Sequence, residues 1–170
     1  MSGYKGHIAG ATAVCTVYVA GIQLWPGDLL NDMRGVLSSW QSIAALFVVT
    51  ILFGLWPDVD TNSKGQDLYI GIAFISDIIL ILSGRMEAAA YLGLISMTPI
   101  VGKHRGWTHS RIAMMLVPIP LLIIPWLYRP EMLKVGILFY GAAVAGYFSH
   151  LLLDGLIIKS FGHRSRWSHR

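Results

Sequence analysis

LKVGILFYGAAVAGYFSHLLLDGLII (residues 133–158) is apolar over nearly its whole length, yet carries His150 and Asp154 near its end. A membrane-crossing helix needs about 20 apolar residues, so this stretch is long enough to span a bilayer. Four positions on a helix amount to one turn, so His150 and Asp154 share one face. Helices that offer two ligands to one ion, such as the His-Glu-x-x-His zinc helices, use the same spacing. Ionisable groups are costly inside a membrane and usually mark function there. The plainer alternative is a buried hydrogen-bonded pair that stabilises helix packing.

The rest of the chain agrees with a membrane setting. Of its 170 residues, 55% are hydrophobic and 13% charged, with a mean hydropathy of +0.60. Soluble domains carry roughly 25% charged residues. The length suits one domain. The expected fold class is all-α: a polytopic membrane helix bundle of six helices, or five if one short span is lost. Residues 1–159 form its single transmembrane domain and residues 160–170 a basic tail. Cys15 is the lone cysteine, which excludes an intrachain disulfide and argues against a zinc-thiolate cluster. Only Lys5 precedes the first apolar run, which is about as long as a full span, so a cleaved signal is not expected.

Apolar runs predict spans near 6–24, 40–56, 68–82, 86–101, 112–128 and 133–158. The third and fourth are short and suggest a tight hairpin through Ser83-Gly84. The fifth holds Pro118, Pro120 and Pro125 and is expected to kink. Gly6 and Gly10, beside Ala9 and Ala13, permit close helix approach.

With six spans, Lys5, Lys64, Lys103, Arg105, Arg111, Lys159, Arg164, Arg166 and Arg170 share one side. Arg34, Arg85, Arg129 and Lys134 share the other. Basic residues favour the cytoplasm, so both termini are expected there. The net charge of +4 follows from this topology, and no nucleic-acid partner is expected. The same count brings seven metal-capable side chains to one membrane face: His7, Asp58, Asp60, His104, His109, His150 and Asp154.

Pro57 favours a helix stop at Trp56. If the following Asp58-Val59-Asp60 is extended, its carboxylates point to opposite sides. His104-Arg105-Gly106-Trp107-Thr108-His109 reads as a loop, with Thr108 or Ser110 as N-cap of the fifth helix. Seven candidates exceed the three protein ligands and one water of a catalytic zinc. They suit two ions about 3.5–4 Å apart, or one ion with orienting carboxylates beyond its ligands. Mixed imidazole and carboxylate donors favour zinc, with manganese or iron as alternatives. Taken singly, His7 reads as an interfacial or capping residue and Asp-x-Asp as an ordinary loop.

Gly6-His7, Pro57-Asp58-Val59-Asp60, His104-Arg105-Gly106-Trp107-Thr108-His109-Ser110 and His150-Leu151-Leu152-Leu153-Asp154 together resemble the YdjM-like membrane-bound metal-dependent hydrolases. That family is also described as LexA-binding and inner-membrane-associated. The resemblance implies an inner-membrane protein with a metal-dependent hydrolase site built from the same seven residues. It also implies a distant likeness to zinc-dependent phospholipase C enzymes. The chain departs from the expected pattern by stopping soon after the last motif.

The leading expectation is metal-assisted hydrolysis of a phosphoester in a lipid or lipid-linked substrate. A bound metal lowers the pKa of its water toward about 7. Asp58 or Asp60 would serve as base, whichever is not a ligand. Arg105, with Arg111 as a second candidate, would hold the phosphate by forked hydrogen bonds. The plainer reading of both arginines is as interfacial cations that need no substrate. Amide hydrolysis, metal or proton transport, and a scaffold with a structural metal are the alternatives. Asp77, in the middle of the third span, favours transport, while the clustering of the other candidates at one end opposes it. His163-Arg164-Ser165-Arg166-Trp167-Ser168-His169 echoes residues 104–109 with one insertion. An interfacial anchor explains it, and a flap over the site is the alternative. The expected partners are membrane lipids and the substrate, and a homo-oligomer is compatible.

Overall fold

A computed structural model describes residues 3–59, 64–101 and 107–155. Among them all regular structure is helical: α1 (Tyr4–Leu24), α2 (Asn31–Val36), α3 (Trp40–Leu55), α4 (Lys64–Leu82), α5 (Met86–Val101), α6 (Arg111–Leu116), α7 (Ile119–Tyr128) and α8 (Leu133–Leu153). Short 3-10 turns cover Trp56–Asp58 and Pro130–Met132. Among the described residues, four segments are long and apolar enough to cross a membrane: Tyr4–Leu24, Trp40–Asp58, Lys64–Leu82 and Pro130–Leu153. The fourth and fifth expected spans appear as shorter apolar helices, Met86–Met97 and Arg111–Leu127.

Burial separates the central helices from the outer ones. The membrane-length windows of α8 and α3 are 50% and 44% buried, against 22% and 17% for α1 and α4. α8 packs between α1, α3 and α7. Small residues make this possible. A Cβ on Gly146 of α8 would overlap the Thr50 carbonyl of α3. A Cβ on Gly54 of α3 would stand 2.9 Å from the Ala11 Cβ of α1. Gly10 lies against Leu153 and Ser149 of α8, the close approach expected there. Large apolar side chains such as Phe74, Ile75, Ile79, Leu94 and Ile112 face outward, as lipid-facing residues do.

The α4–α5 hairpin turns through Ser83-Gly84 as expected. The Arg85 amide bonds to the Leu80 carbonyl (2.9 Å) and the Gly84 amide to that of Ile81 (2.9 Å). These two bonds make a Schellman end, with Gly84 at φ +73°, a backbone region that glycine enters without penalty. α5 therefore returns toward the end of the bundle from which α4 departs.

The fifth run kinks at its prolines as expected: α6 and α7 meet at Val117-Pro118, and both residues keep helical dihedrals (φ −62°, ψ −39° and φ −77°, ψ −7°). Proline lacks the N–H that would continue α6. Other expectations need correction. The last helix ends at Leu153, not at 158. Asp154 is its C-cap, with an amide bond to the His150 carbonyl (3.0 Å), and Gly155 follows at φ +70°. Residues 156–158 lie outside the described residues. Asp58-Val59 is not extended. Val59 has φ −72° and ψ −18°, because its amide closes a 3-10 turn onto the Trp56 carbonyl (3.2 Å).

The 25–39 connection contains α2, which no periodicity announced. Arg34, read in the sequence only as a topological charge, bonds the carbonyls of Ile22 (3.1 Å) and Trp25 at the end of α1. A guanidinium there satisfies carbonyls that the helix leaves open and meets the negative end of its dipole.

Candidate metal centre

Five of the seven sequence-predicted ligands meet at one end of the bundle. His7 comes from the first turn of α1. Asp58 comes from the 3-10 turn after α3, His109 from the turn before α6, and His150 and Asp154 from the end of α8. Asp60 and His104 lie outside the described residues, as do Arg105, Lys159 and the 160–170 tail.

Local chemistry explains how each residue arrives. Pro57 stops α3 and turns the chain so that Asp58 faces back toward α8. Ser110 caps α6, its hydroxyl accepting from the Ala113 amide (3.0 Å), which halts the chain at His109. Of the two N-cap candidates, Ser110 takes the role. Thr108 instead places its hydroxyl 3.2 Å from His109 Nδ1.

His150 Nδ1 stands 2.8 Å from the Gly54 carbonyl. A carbonyl only accepts, so Nδ1 carries the proton and Nε2 of the neutral ring presents a lone pair. Metal-binding histidines are commonly oriented through the other ring nitrogen in this way. That lone pair faces Asp58 Oδ1 at 3.7 Å, Asp154 Oδ2 at 3.6 Å and His109 Nε2 at 3.4 Å. His109 Nε2 is 3.6 Å from Asp58 Oδ1 and 3.9 Å from Asp154 Oδ2. Donors of Asp58, His109, His150 and Asp154 all fall within 4.8 Å of one another.

These spacings fit an ion. Bonds of about 2.0–2.1 Å to nitrogen and oxygen imply donor–donor edges of about 3.3–3.4 Å in a tetrahedron. The separations lie just above that value. The ring-to-ring contact of His109 and His150, at 3.4 Å, is itself a long hydrogen bond, and the imidazole–carboxylate pairs stand at ion-pair distance. His7 adds a second sign: both its ring nitrogens are buried without a hydrogen-bond partner among the described residues. Buried polar atoms are rarely left so, and an ion is one of the ordinary explanations.

Exposure differs across the centre. The side chains of His7, His150 and Asp154 are 1%, 0% and 4% exposed, whereas those of Asp58 and His109 are 22% and 23%. Asp58 and His109 are therefore the most exposed of the five described residues of the cluster. Trp107 stands beside this edge, its ring meeting that of buried Trp56 edge-on at 5.6 Å. Asp77 does not join the centre. It lies in α4, thirteen residues from the Lys64 end, or about 20 Å at 1.5 Å per residue. Its Oδ1 is buried without a hydrogen-bond partner among the described residues.

Two supporting groups escaped the sequence reading. One is the Gly54 carbonyl, which no side-chain pattern can reveal. The other is Tyr147, fully buried, whose hydroxyl donates to the Thr108 carbonyl. Its position one turn before His150, on the same face, was the available signal. Tyr147→Phe should destabilise the protein by about 1 kcal/mol and weaken metal binding by about 10-fold, the lower end for an outer-shell change. Thermal unfolding and competition with a chelator would measure both. Unchanged metal affinity would mean that the hydrogen bond has no part in placing His109.

A multi-helix membrane bundle with a buried His/Asp pocket at one end is the class that fold and site define. The chain belongs to the YdjM inner membrane protein family, whose model matches residues 1–164. No curated protein and no solved structure gave a significant match.

Proposed function

We propose that this inner-membrane protein is a metal-dependent hydrolase that cleaves a phosphoester in a lipid or lipid-linked substrate. The observation that carries the proposal is the convergence of His7, Asp58, His109, His150 and Asp154, with Asp58 and His109 the more exposed members among the described residues. When bound, a divalent metal supplies a water of lowered pKa and polarises the phosphoryl oxygen. Zinc suits the mixed imidazole and carboxylate donors best, with manganese or iron as alternatives.

The residues of the chain would divide the remaining work. His150, its tautomer set by the Gly54 carbonyl, would hold the metal with His109, Asp58 and Asp154. With Asp58 among the ligands, Asp60 would take the role of general base. Arg105 would hold the phosphate, with Arg111 at the start of α6 as the second candidate cation. The orientation that best explains the excess of Lys and Arg is six crossings with the centre and both termini at the cytoplasmic leaflet. α5 and the α6–α7 pair would then be the two shorter crossings. A headgroup could enter the centre while its tails remain in the bilayer.

Purified protein should contain zinc by elemental analysis. It should turn over phosphodiester or phospholipid substrates in a screen that also includes phosphomonoesters and peptides. Metal-loaded protein that cleaves peptides but no phosphoester would replace the proposed bond with an amide. Metal-loaded protein inactive on every class would sink the hydrolase reading.

A further inference from the structure

Asp58 and Asp154 each divide their two oxygens between different histidines. Asp58 Oδ1 lies 3.6 Å from His109 Nε2 and 3.7 Å from His150 Nε2, while its Oδ2 lies 3.8 Å from His7 Nε2. Asp154 repeats the pattern. Its Oδ2 lies 3.9 Å from His109 Nε2 and 3.6 Å from His150 Nε2, while its Oδ1 lies 3.6 Å from His7 Nε2. If all five residues served one ion, the three imidazole lone pairs would converge on one point.

They do not converge. The His7 and His150 rings are stacked, with centroids 3.9 Å apart and planes inclined by 19°. A ring nitrogen's lone pair lies in the plane of its ring. An ion bound about 2.0–2.1 Å from a nitrogen therefore cannot sit in both of two stacked, near-parallel planes. The stacking distance instead matches the separation of about 3.5–4 Å between the ions of two-metal sites. His7 is also the residue with both nitrogens buried and unsatisfied among the described residues. The four-donor set of Asp58, His109, His150 and Asp154 is complete without it.

We propose that the centre is dinuclear and that Asp58 and Asp154 bridge its two ions. One ion is held by Asp58 Oδ1, Asp154 Oδ2, His109 Nε2 and His150 Nε2. The other is held by Asp58 Oδ2, Asp154 Oδ1 and His7 Nε2. The first set has four protein ligands, and the second has the three that leave a place for water. This deepens the metal-hydrolase reading above and rests on it. His7, which the sequence marks only as a lone histidine at a helix start, becomes the residue that makes the second site.

The test is metal counting and spectroscopy on the full chain in detergent. Wild-type protein should hold about two zinc ions per chain, as a two-metal site requires. His7→Phe, which keeps a ring stacked on His150 but removes the lone pairs, should hold about one. Manganese-loaded wild-type protein should give an exchange-coupled paramagnetic resonance spectrum, and His7→Phe an uncoupled one. The wild-type spectrum needs no variant, so a misfolded His7→Phe protein leaves the proposal open to refutation. A single ion in the wild type, an uncoupled wild-type spectrum, or two ions retained in folded His7→Phe would overturn it. Wild-type protein without metal would overturn this proposal and the hydrolase reading together. Two coupled ions without hydrolysis would uphold the dinuclear centre and remove only the proposed activity.

Discussion

Asp154→Ala protein should lose metal and hydrolysis together. Its carboxylate faces all three described histidines, at 3.6 Å from His7, 3.9 Å from His109 and 3.6 Å from His150. It is also almost fully enclosed. Changing a residue that merely orients a ligand costs about 10–100-fold in metal affinity. Removing a direct ligand shared by three imidazoles should exceed that range, leaving metal at background in elemental analysis. The fold should survive, because Asp154 caps α8 through its backbone and the Asp154 amide bond to the His150 carbonyl needs no side chain. Circular dichroism would check this. Folded Asp154→Ala protein with wild-type zinc content would show that the five-residue cluster is a packing arrangement and not a metal centre.

The second large effect is expected where no ligand is touched. Gly146→Ala should destabilise the bundle although alanine is the better helix former. Alanine gains about 0.8–1.0 kcal/mol over glycine in an ordinary helix interior. Overpacking costs about 1–3 kcal/mol, and here the obstacle is the Thr50 backbone carbonyl, which cannot rotate away as a side chain would. The clash therefore outweighs the propensity gain. α3 and α8 must separate at the level of Gly146, one turn before His150. The Gly54 carbonyl that holds His150 Nδ1 lies one turn beyond Thr50 on α3. Thermal stability and zinc content should fall together. Gly71→Ala, where a Cβ meets nothing within 4 Å, should leave both unchanged or raise stability slightly. Equal behaviour of the two variants would show that the α3–α8 crossing tolerates a wider spacing.

The sequence and the tertiary structure contributed different parts of this picture. Apolar length and sparse charge were enough for an all-helical membrane protein, because hydrocarbon leaves the backbone few other ways to satisfy its hydrogen bonds. The spacing of His150 and Asp154 was enough to put two ligands on one face, because helical periodicity is a local property. Pro57 and Ser110 marked two of the chain reversals that aim Asp58 and His109. Helix ends were harder to read. The glycine after Asp154 was the sign that α8 stops there, yet the apolar run continues to Ile158 and masked it. The short α2 likewise depends on competition between local breakers and packing that no single window of sequence resolves.

The geometry of the centre belongs to the tertiary structure alone. His7 and His150 stand 143 positions apart in the chain, and nothing local to either residue makes their rings stack. That contact exists because Gly54 and Gly146 let α1, α3 and α8 approach closely. The partition of the Asp58 and Asp154 oxygens follows from it. A sequence can place ligands at one end of a bundle by periodicity and charge. Which lone pair faces which oxygen depends on helix crossings set by atoms far apart in the chain.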